Sequence, residues 1–432
     1  REILEHMSEI PSDKIPWKTQ AAIYGAGLFS FTMVLISSLI VALLAVQLTE
    51  SEFLIGVIVG SRYFLTLALS IHGGALMDRL GTRRVMVVFA IVAAVAPLLF
   101  PIALWLPFGL AITAIIFLQM VAGVSDAMVW VGAQALSGHI MGGRPRYVGR
   151  MTSIVRLGAF FGPIIFGVLW DQTNVTTTFI LMGVWSSIGF WCVLKIPKIS
   201  EEGIQVKHGP LIVSDIVPRV KDYIDAFRLI AIPAVALILL ATMVRIGATG
   251  IQNSFYVVFL RDIEISAAVI GVLIGIAQLL ASAGSLLASP MARVIHPHWL
   301  VLCAVSMTVI TIALTPLLVF GTVVWVTLIL LAFVIGIRGL CLGISQPMEI
   351  SVLGRAISIN EQGLGAGLRT TVNRLASSLI PPLMGAVAEF VGIQNSFFII
   401  GGFLLMILFF AALFVKQSDS LGNRKKSASK FK

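Results

Sequence analysis

The chain has 432 residues, of which 58% are hydrophobic and 12% are Asp, Glu, Lys or Arg, and its formal net charge is +10. Soluble domains carry about 25% charged residues. This composition, with a mean hydropathy of +1.01, therefore excludes a water-soluble enzyme, a disordered chain and a nucleic-acid-binding domain. The apolar runs are long rather than short and alternating, which excludes a membrane β-barrel. Because one spanning helix needs about 20 apolar residues, we predict an all-α membrane protein with about twelve transmembrane helices.

Twelve apolar runs follow one another along the chain. Two long uncharged stretches divide at turn formers, one between Trp105 and Gly109 and the other at Phe320 and Gly321. The predicted spans are 23–46, 53–71, 85–105, 110–133, 148–170, 178–194, 230–257, 267–288, 299–320, 323–344, 368–388 and 397–415.

The spans fall into an N-terminal six-helix half, 1–195, and a C-terminal six-helix half, 229–416. Between them, 196–228 is predicted to be a cytoplasmic loop in which Ile216, Val220, Ile224 and Phe227 recur at helical spacing. This spacing indicates an amphipathic helix on the membrane surface, and a solvated linker is the alternative. Residues 417–432 form a basic cytoplasmic tail that anionic lipids attract.

The distribution of Lys and Arg predicts the orientation. With the N-terminus inside, nearly all the basic residues of the loops fall in cytoplasmic segments, and Arg261 is the exception. Both termini are therefore expected in the cytoplasm. We expect a multi-pass monomer in the plasma (inner) membrane, in contact with membrane lipid.

An internal repeat relates the fifth span to the eleventh. Four residues of basic, Pro, Gly and acidic type recur with identical gaps. This pattern indicates a duplicated six-helix unit, and such parallel repeats place a substrate path at their interface. The matched residues are Arg156, Pro163, Gly167 and Asp171 in the first copy and Arg374, Pro381, Gly385 and Glu389 in the second.

The loop after the second span is unusually charged for a short membrane turn. Gly74 and Gly81 allow the chain to reverse and pack closely, and Asp78 can accept hydrogen bonds from a helix N-terminus or an Arg of the other half. A basic turn that obeys the positive-inside rule explains Arg79 and Arg83. It does not explain an Asp between two glycines, so this loop is predicted to latch the two halves on the cytoplasmic side.

At this loop the sequence resembles the major facilitator superfamily. The family signature Gly-x-x-x-Asp-Arg/Lys-x-Gly-Arg-Arg/Lys matches five residues, and Thr82 departs from it at the first of the last two basic positions. The resemblance implies twelve helices in two halves, transport by alternating access and a gating role for the matched loop. It says little about the substrate. The matched residues are Gly74, Asp78, Arg79, Gly81 and Arg83.

The fifth span carries a second family pattern. Gly162, Pro163 and Gly167 look like the Gly-x-x-x-Gly-Pro pattern of the family's antiporters, although Phe166 replaces one expected glycine. Gly and Pro loosen a helix and permit close packing. We therefore assign gating to these residues and to two residues of the repeat, Arg374 and Pro381.

The fourth span departs from a third pattern. The family often has an Arg four residues before a Gly in this span, where it is associated with proton transfer. Here Gln119 precedes Gly123, which argues against a standard proton relay.

Arginines deep in the spans suggest a substrate. Ionisable residues at this depth are costly and usually face a cavity or a partner. Arg62, Arg245 and Arg338 lie deepest, and a guanidinium fork binds carboxylates and phosphates, so we predict that they bind an anionic substrate. Polar residues that line the same cavity, or merely bond between helices, are Gln119, Gln252, Asn253 and Gln278.

Acids are fewer than arginines in the spans. Asp126 is the only acid predicted at depth, and it is the candidate proton or charge-relay residue together with Arg156. Arg156 lies at a similar depth on the next span, which favours an ion pair between the two. Arg369 and Arg374 lie near enough to the cytoplasmic end to snorkel, and Glu349 is predicted to be a surface acid.

The leading hypothesis is a secondary active transporter that moves a small organic anion by alternating access. The alternative is a proton-coupled efflux antiporter for drugs or metabolites, which the Gly-Pro pattern favours and the many arginines oppose. A transporter-like membrane sensor is a third hypothesis. Because the sequence has no zinc-like His cluster, Ser/His/Asp grouping or nucleotide loop, we expect neither an enzyme nor a cofactor. The expected partners are the substrate, a coupling proton and lipid, without nucleic acid.

Overall fold

The structure, a computed structural model, describes residues 15–141, 145–197, 227–319, 324–358 and 362–417, and within these ranges it contains helices and no strands. Three helices begin at residue types that cap them: Ser51, Asn174 and Ser266 each accept a hydrogen bond from a backbone N–H of the first turn. In chain order the helices are α1 Trp17–Leu48, α2 Glu52–Ser61, α3 Phe64–Leu80, α4 Thr82–Ala103, α5 Phe108–Met141, α6 Pro145–Gln172, α7 Val175–Lys195, α8 Pro233–Asn253, α9 Phe255–Asp262, α10 Ala267–Val294, α11 Pro297–Ala313, α12 Val324–Ala356, α13 Gln362–Val391 and α14 Ile393–Gln417.

Ten helical segments of the described ranges are long and apolar enough to cross a membrane, and α11 is a shorter apolar helix. α13 also has 30 residues but carries Arg369 and Arg374, which reduce its hydropathy. The outer surfaces expose many large apolar side chains, as Ile102, Phe117 and Ile329 do. A surface of this kind suits a lipid environment rather than water. The protein is therefore a multi-pass helical membrane protein.

The predicted break in the long apolar stretch near residue 105 is confirmed, since α4 ends at Ala103 and α5 begins at Phe108. The second predicted break, at Phe320 and Gly321, lies outside the described residues. The amphipathic helix predicted within 196–228 also lies outside the described residues, except for its last residues. Nearly all of the basic tail lies outside them as well.

Two helical segments are interrupted within the bundle. A turn at Arg62 and Tyr63 separates α2 from α3. α8 ends at Asn253 because Ser254 leaves the helical region, with φ −125° and ψ −88°. Ser254 is fully buried, and its hydroxyl donates to the Gly250 carbonyl at 2.6 Å. Non-helical backbone at membrane depth is tolerated only where protein or a cavity surrounds it, so both interruptions are of functional interest.

Helices α1–α7 form an N-terminal group and α8–α14 a C-terminal group. The two groups contact each other chiefly through two helix pairs, α6 with α10 and α2 with α13. We call the end of the bundle that holds the turns 49–51, 173–174, 263–266 and Gly392 the capped end. Both pairs run to this end, where their backbones come into contact.

The contacts at the capped end depend on glycine. A Cβ atom added at any of four glycines would overlap a backbone carbonyl of the facing helix, so only a residue without a side chain allows the helices to approach so closely. The four contacts are Gly56 with the Pro381 carbonyl, Gly385 with the Glu52 carbonyl, Gly271 with the Pro163 carbonyl and Gly167 with the Ala267 carbonyl.

Candidate functional site

A buried polar cluster lies inside the N-terminal group. The Arg62 guanidinium donates through Nη2 to the Asp126 carboxylate and through Nη1 to Ser37 Oγ at 2.8 Å and Gln119 Oε1 at 3.2 Å. The side chains of Arg62 and Asp126 are 2% and 4% exposed. The pair therefore satisfies both charges away from water, as a buried pair must.

Local sequence explains how Arg62 reaches this position. Its backbone forms the turn between α2 and α3, and α5 packs directly against that turn through Gly123, where a Cβ would overlap the Arg62 carbonyl. Gln119 lies one turn before Gly123 on the same face of α5. Gln119, which stands where the family pattern often has an Arg, therefore contacts Arg62 at the turn between α2 and α3.

The predicted ion pair between Arg156 and Asp126 is wrong. Arg62 occupies the carboxylate of Asp126, and the Arg156 Nη1 donates instead to Gln278 Oε1 at 3.1 Å. Arg156 and Asp126 have a similar depth, but the Arg156 side chain is directed around its helix toward α10. Arg156 thus connects the two groups rather than neutralising an acid of its own group.

A second buried pair lies inside the C-terminal group, and it corrects two expectations. Arg245 Nε donates to Glu349 Oε1 at 2.8 Å, and Thr242 Oγ1 donates to Glu349 Oε2 at 2.9 Å. Glu349 is fully buried, so it is not a surface acid and Asp126 is not the only acid at depth. The predicted span ended at residue 344, whereas α12 continues to Ala356 and keeps Glu349 within the packed bundle.

Arg338 differs from the other two deep arginines because it has no carboxylate partner among the described residues. It is 1% exposed, and its Nη2 donates to the Thr311 carbonyl at 3.1 Å and to Thr315 Oγ1 at 3.3 Å. Its guanidinium carbon lies 5.1 Å from the centre of the Tyr256 ring, a cation–π distance. Among the residues that the structure describes, Nε and Nη1 have no hydrogen-bond partner, and neither has the Tyr256 hydroxyl.

Three of the predicted polar residues lie at the interrupted helices: Gln119, Gln252 and Asn253. Gln252 and Asn253 immediately precede the interruption at Ser254, and the Gln252 Oε1 is buried without a hydrogen-bond partner. In the N-terminal group, the Gln119 Nε2 is likewise buried without a partner. Buried polar atoms are nearly always hydrogen-bonded, so within the part of the chain that the structure describes these two unpaired atoms are exceptions.

Two further arginines are half-buried: Arg374 lies between the two groups, and Arg369 lies near the second pair. Arg374 on α13 interacts electrostatically with Tyr63 and Arg62 of the N-terminal group. Arg369 interacts electrostatically with Arg245 and Glu349 of its own group. Both side chains are partly exposed. The repeated arginines, 156 and 374, therefore occupy related positions, each facing the opposite group.

The acidic residues of the repeat form matching contacts at the capped end. Asp171, at the end of α6, accepts hydrogen bonds from the backbone N–H groups of Ala267 and Ala268 at 3.1 and 2.7 Å. Glu389, near the end of α13, accepts from Ser51 Oγ at 3.0 Å and from the Phe53 N–H at 3.1 Å. Each carboxylate thus caps the first turn of a helix of the other group, where free N–H groups and the helix dipole favour negative charge.

The residues of the fifth span for which the sequence predicts gating pack in two directions. Pro163 and Gly167 face α10 of the other group, whereas Gly162 faces α1, where a Cβ would overlap the methyl group of Thr32. In the second copy, Pro381 faces Gly56 in the same way as Pro163 faces Gly271. The duplication inferred from sequence spacing is therefore also visible as duplicated contacts.

The charged loop is described only in part. Gly74 lies within α3, and Gly81 has φ +85°, a conformation that favours glycine. Arg83 donates to the carbonyls of Ile196 at 2.7 Å and Leu194 at 3.1 Å, both at the end of α7 in its own group. The side chains of Asp78 and Arg79 lie outside the described residues, so the predicted latch between the groups stays a prediction.

The chain is similar to known proteins in its sequence profile and in its fold. The profile of the Major Facilitator Superfamily matches the chain twice, at residues 22–244 and 238–432. Comparison with curated protein sequences finds no match.

Solved transporter structures share the fold at low sequence identity. The nucleoside transporter NupG is similar with a TM-score of 0.74 and 14% identity, covering 94% of this chain and 100% of that one. A POT family transporter in complex with a thioalcohol-conjugated peptide has a TM-score of 0.68 and 15% identity, covering 92% and 95%. The xylose transporter XylE from E. coli, in an inward open conformation, has a TM-score of 0.64 and 14% identity, covering 93% and 96%.

The twofold profile match spans almost the whole chain, and the structural neighbours are sugar, nucleoside and peptide transporters rather than enzymes. The chain therefore belongs to the Major Facilitator Superfamily of membrane transporters.

Proposed function

We propose that this protein is a secondary active transporter that moves a small organic anion across the plasma membrane by alternating access. The observation that carries the proposal is the excess of arginine over carboxylate in the helices. Asp126 and Glu349 neutralise Arg62 and Arg245. Among the described residues, no ion pair neutralises Arg338.

Arg338 is the proposed anchor for the anion. Its Nε and Nη1 atoms are buried without partners, and a planar guanidinium presents such donors to a carboxylate or phosphate in a bidentate arrangement. The Tyr256 hydroxyl next to it is also without a partner and can donate a further hydrogen bond. Two arginines between the groups, Arg156 and Arg374, extend the positive surface along the proposed path. Gln278 accepts a hydrogen bond from Arg156 there.

The proposed topology has twelve spans, because α2 with α3 and α8 with α9 each form one interrupted span. The two halves are 1–195 and 229–416, joined by a loop, 196–228, and followed by a tail, 417–432, with both termini in the cytoplasm. In this orientation the capped end is extracellular. Its carboxylate caps and glycine contacts support a state closed to the outside, which the alternating-access cycle would have to open.

The test is exchange of labelled substrate in proteoliposomes. Panels of carboxylates, organic phosphates and lipophilic cations are screened as competitors, and the hits are repeated with Arg338→Gln and with Arg355→Gln as the matched control. Arg355 lies on the same helix but is exposed at its end. We expect anions to compete and Arg338→Gln to weaken them about tenfold to a hundredfold, as for the loss of a charged hydrogen bond. Competition by cations alone would contradict the proposal.

The alternative is a proton-coupled efflux antiporter, and the two buried arginine–carboxylate pairs favour it. Protonation of Asp126 or Glu349 would release its arginine, so each pair can couple a proton to a structural change. Stimulation of transport by a pH gradient that is lost in Asp126→Asn, with lipophilic cations as substrates, would support this function. Binding without exchange in any panel would instead support a membrane sensor.

A further inference from the structure

A concave basic surface lies on the N-terminal group, away from the two ion pairs. It lies between the beginning of α1 and the beginning of α6. We call this surface the α1–α6 groove, and its lining is Trp17, Arg146, Gly149, Arg150, Ser153 and Ile154. None of these residues takes part in the proposed transport path.

The groove is positively charged and open. Two of its six lining residues are arginines, and no carboxylate is among them. Arg146 is exposed, whereas Arg150 is half-buried with its Nη1 donating to Gln20 Oε1 at 3.3 Å. A Cβ on Gly149 would meet none of the described residues within 4 Å, so this part of the structure has space for another molecule beside the two guanidinium groups.

The face of α6 that forms the groove continues as an apolar stripe. Leu157, Phe161 and Ile165 follow at four-residue intervals from Ser153, which places them on one side of the helix. They are 55%, 51% and 43% exposed. The charged residues at the beginning of α6 are therefore followed, along the same side of the helix, by exposed apolar side chains. A phospholipid has the same order, with a charged headgroup followed by an acyl chain.

Trp17 identifies the level of this groove in the membrane. It is 61% exposed at the first residue of α1, and exposed Trp side chains are enriched at the boundary between hydrocarbon and headgroups. The beginnings of α1 and α6 both lie at the cytoplasmic side in the proposed orientation. This leaflet carries the anionic lipids that attract basic surfaces.

We propose that the α1–α6 groove is a binding site for an anionic phospholipid of the cytoplasmic leaflet. Arg146 and Arg150 bind the phosphate, and Trp17 lies beside the glycerol backbone. The Ser153 hydroxyl donates to the Gly149 carbonyl at 3.0 Å and accepts a hydrogen bond from a headgroup hydroxyl. One acyl chain follows Leu157, Phe161 and Ile165. The site depends on the proposed orientation but not on the identity of the transported substrate.

The test is native mass spectrometry of the full chain purified in detergent and titrated with phosphatidylglycerol or phosphatidylcholine. We expect phosphatidylglycerol to bind more tightly, and Arg146→Gln to weaken it about fivefold, the contribution of one basic residue near an anionic lipid. Arg84→Gln, an exposed arginine of α4 outside the groove, is the matched control and should leave the affinity unchanged.

A second variant fills the groove without removing charge. Gly149→Leu has open space for its side chain and should also weaken phosphatidylglycerol while the thermal stability without lipid is preserved. Equal affinity for the two lipids would overturn the proposal. So would binding of inorganic phosphate that Arg146→Gln weakens while phosphatidylglycerol binding stays unchanged.

Discussion

Each group of helices contains a buried ion pair, and a comparison of the two pairs shows which parts of the internal duplication are alike. Asp126 on α5 and Glu349 on α12 are both almost fully buried, and each is held by one arginine. The arginines come from different places. Arg62 belongs to the turn that interrupts α2 and α3, whereas Arg245 lies within the continuous helix α8.

The contacts at the capped end behave differently. Asp171 and Glu389 each cap the first turn of a helix of the opposite group, Asp171 through two backbone N–H groups and Glu389 through one backbone N–H and the Ser51 hydroxyl. The glycine contacts also occur in matching pairs. The repeat has therefore kept its symmetry where the groups meet and lost it where polar side chains lie inside each group. Symmetric contacts suit a gate at which both groups separate together, and asymmetric interiors suit a site that distinguishes one substrate.

The largest expected effect comes from removing Arg245. In Arg245→Ala, Glu349 stays fully buried without its positive partner, which costs about 3–5 kcal/mol of folding free energy. Thermal unfolding in detergent measures this loss. Arg245→Met combined with Glu349→Gln is the control, because replacing both charges is expected to be much less costly. A double variant as unstable as the single variant would contradict the assigned pair.

The corresponding change in the N-terminal group sharpens the comparison. We expect Arg62→Ala to cost less, about 2–3 kcal/mol, because the Ser186 hydroxyl lines the same small cavity as Asp126. This hydroxyl has no hydrogen-bond partner among the described residues and can turn to donate to the carboxylate that Arg62 leaves. The same unfolding measurement compares the two single variants. A loss larger than that of Arg245→Ala would show that the interruption at Arg62 depends on the pair for its conformation.

Substitutions at the capped end test the symmetry directly. Gly167→Ala and Gly385→Ala each bring a methyl group against a backbone carbonyl, and we expect similar losses of about 1–3 kcal/mol from overpacking. Gly149→Ala is the matched control, because a Cβ there has open space. Unequal unfolding temperatures for the two capped-end variants would break the proposed equivalence of the copies.

The smallest effects are expected at the carboxylate caps. Asp171→Asn and Glu389→Gln lose the charge that interacts with the helix dipole, a contribution of about 0.3–1 kcal/mol each. Asp171→Asn also loses one acceptor, because both oxygens of Asp171 accept a hydrogen bond, whereas a single oxygen of Glu389 accepts both of its bonds. Unfolding measured at low and high salt checks the charge contribution, since salt screens the charge in the parent but not in the amide variants. A larger loss in Glu389→Gln than in Asp171→Asn would contradict the assigned caps.

Local signals in the sequence predict most of the fold. Apolar runs give the helices, and Pro107 and Gly109 give the break between α4 and α5. The spacing of the repeat predicts a duplicated six-helix unit, and Pro163 and Pro381 make equivalent contacts in the two copies. The interruption at Ser254 has no such signal, because neither Gly nor Pro lies at the break.

Side-chain partners are harder to predict than helices. Depth follows from residue number, but direction changes by about 100° per residue around a helix axis, so a small error in phase redirects a side chain. Arg156 therefore meets Gln278 instead of Asp126. Burial of Glu349 depends on the continuation of α12 to Ala356, well beyond the last residue of the predicted span.

The glycine contacts at the capped end also have a thermodynamic consequence. They join backbone to backbone, so at these four positions the separation of α2 from α13 or of α6 from α10 exposes carbonyl groups and glycine Cα hydrogens. Heat-capacity changes scale with newly exposed apolar area, at about 0.45 cal/K/mol per Å². The glycine contacts themselves are therefore expected to add little to the heat-capacity change of opening this end.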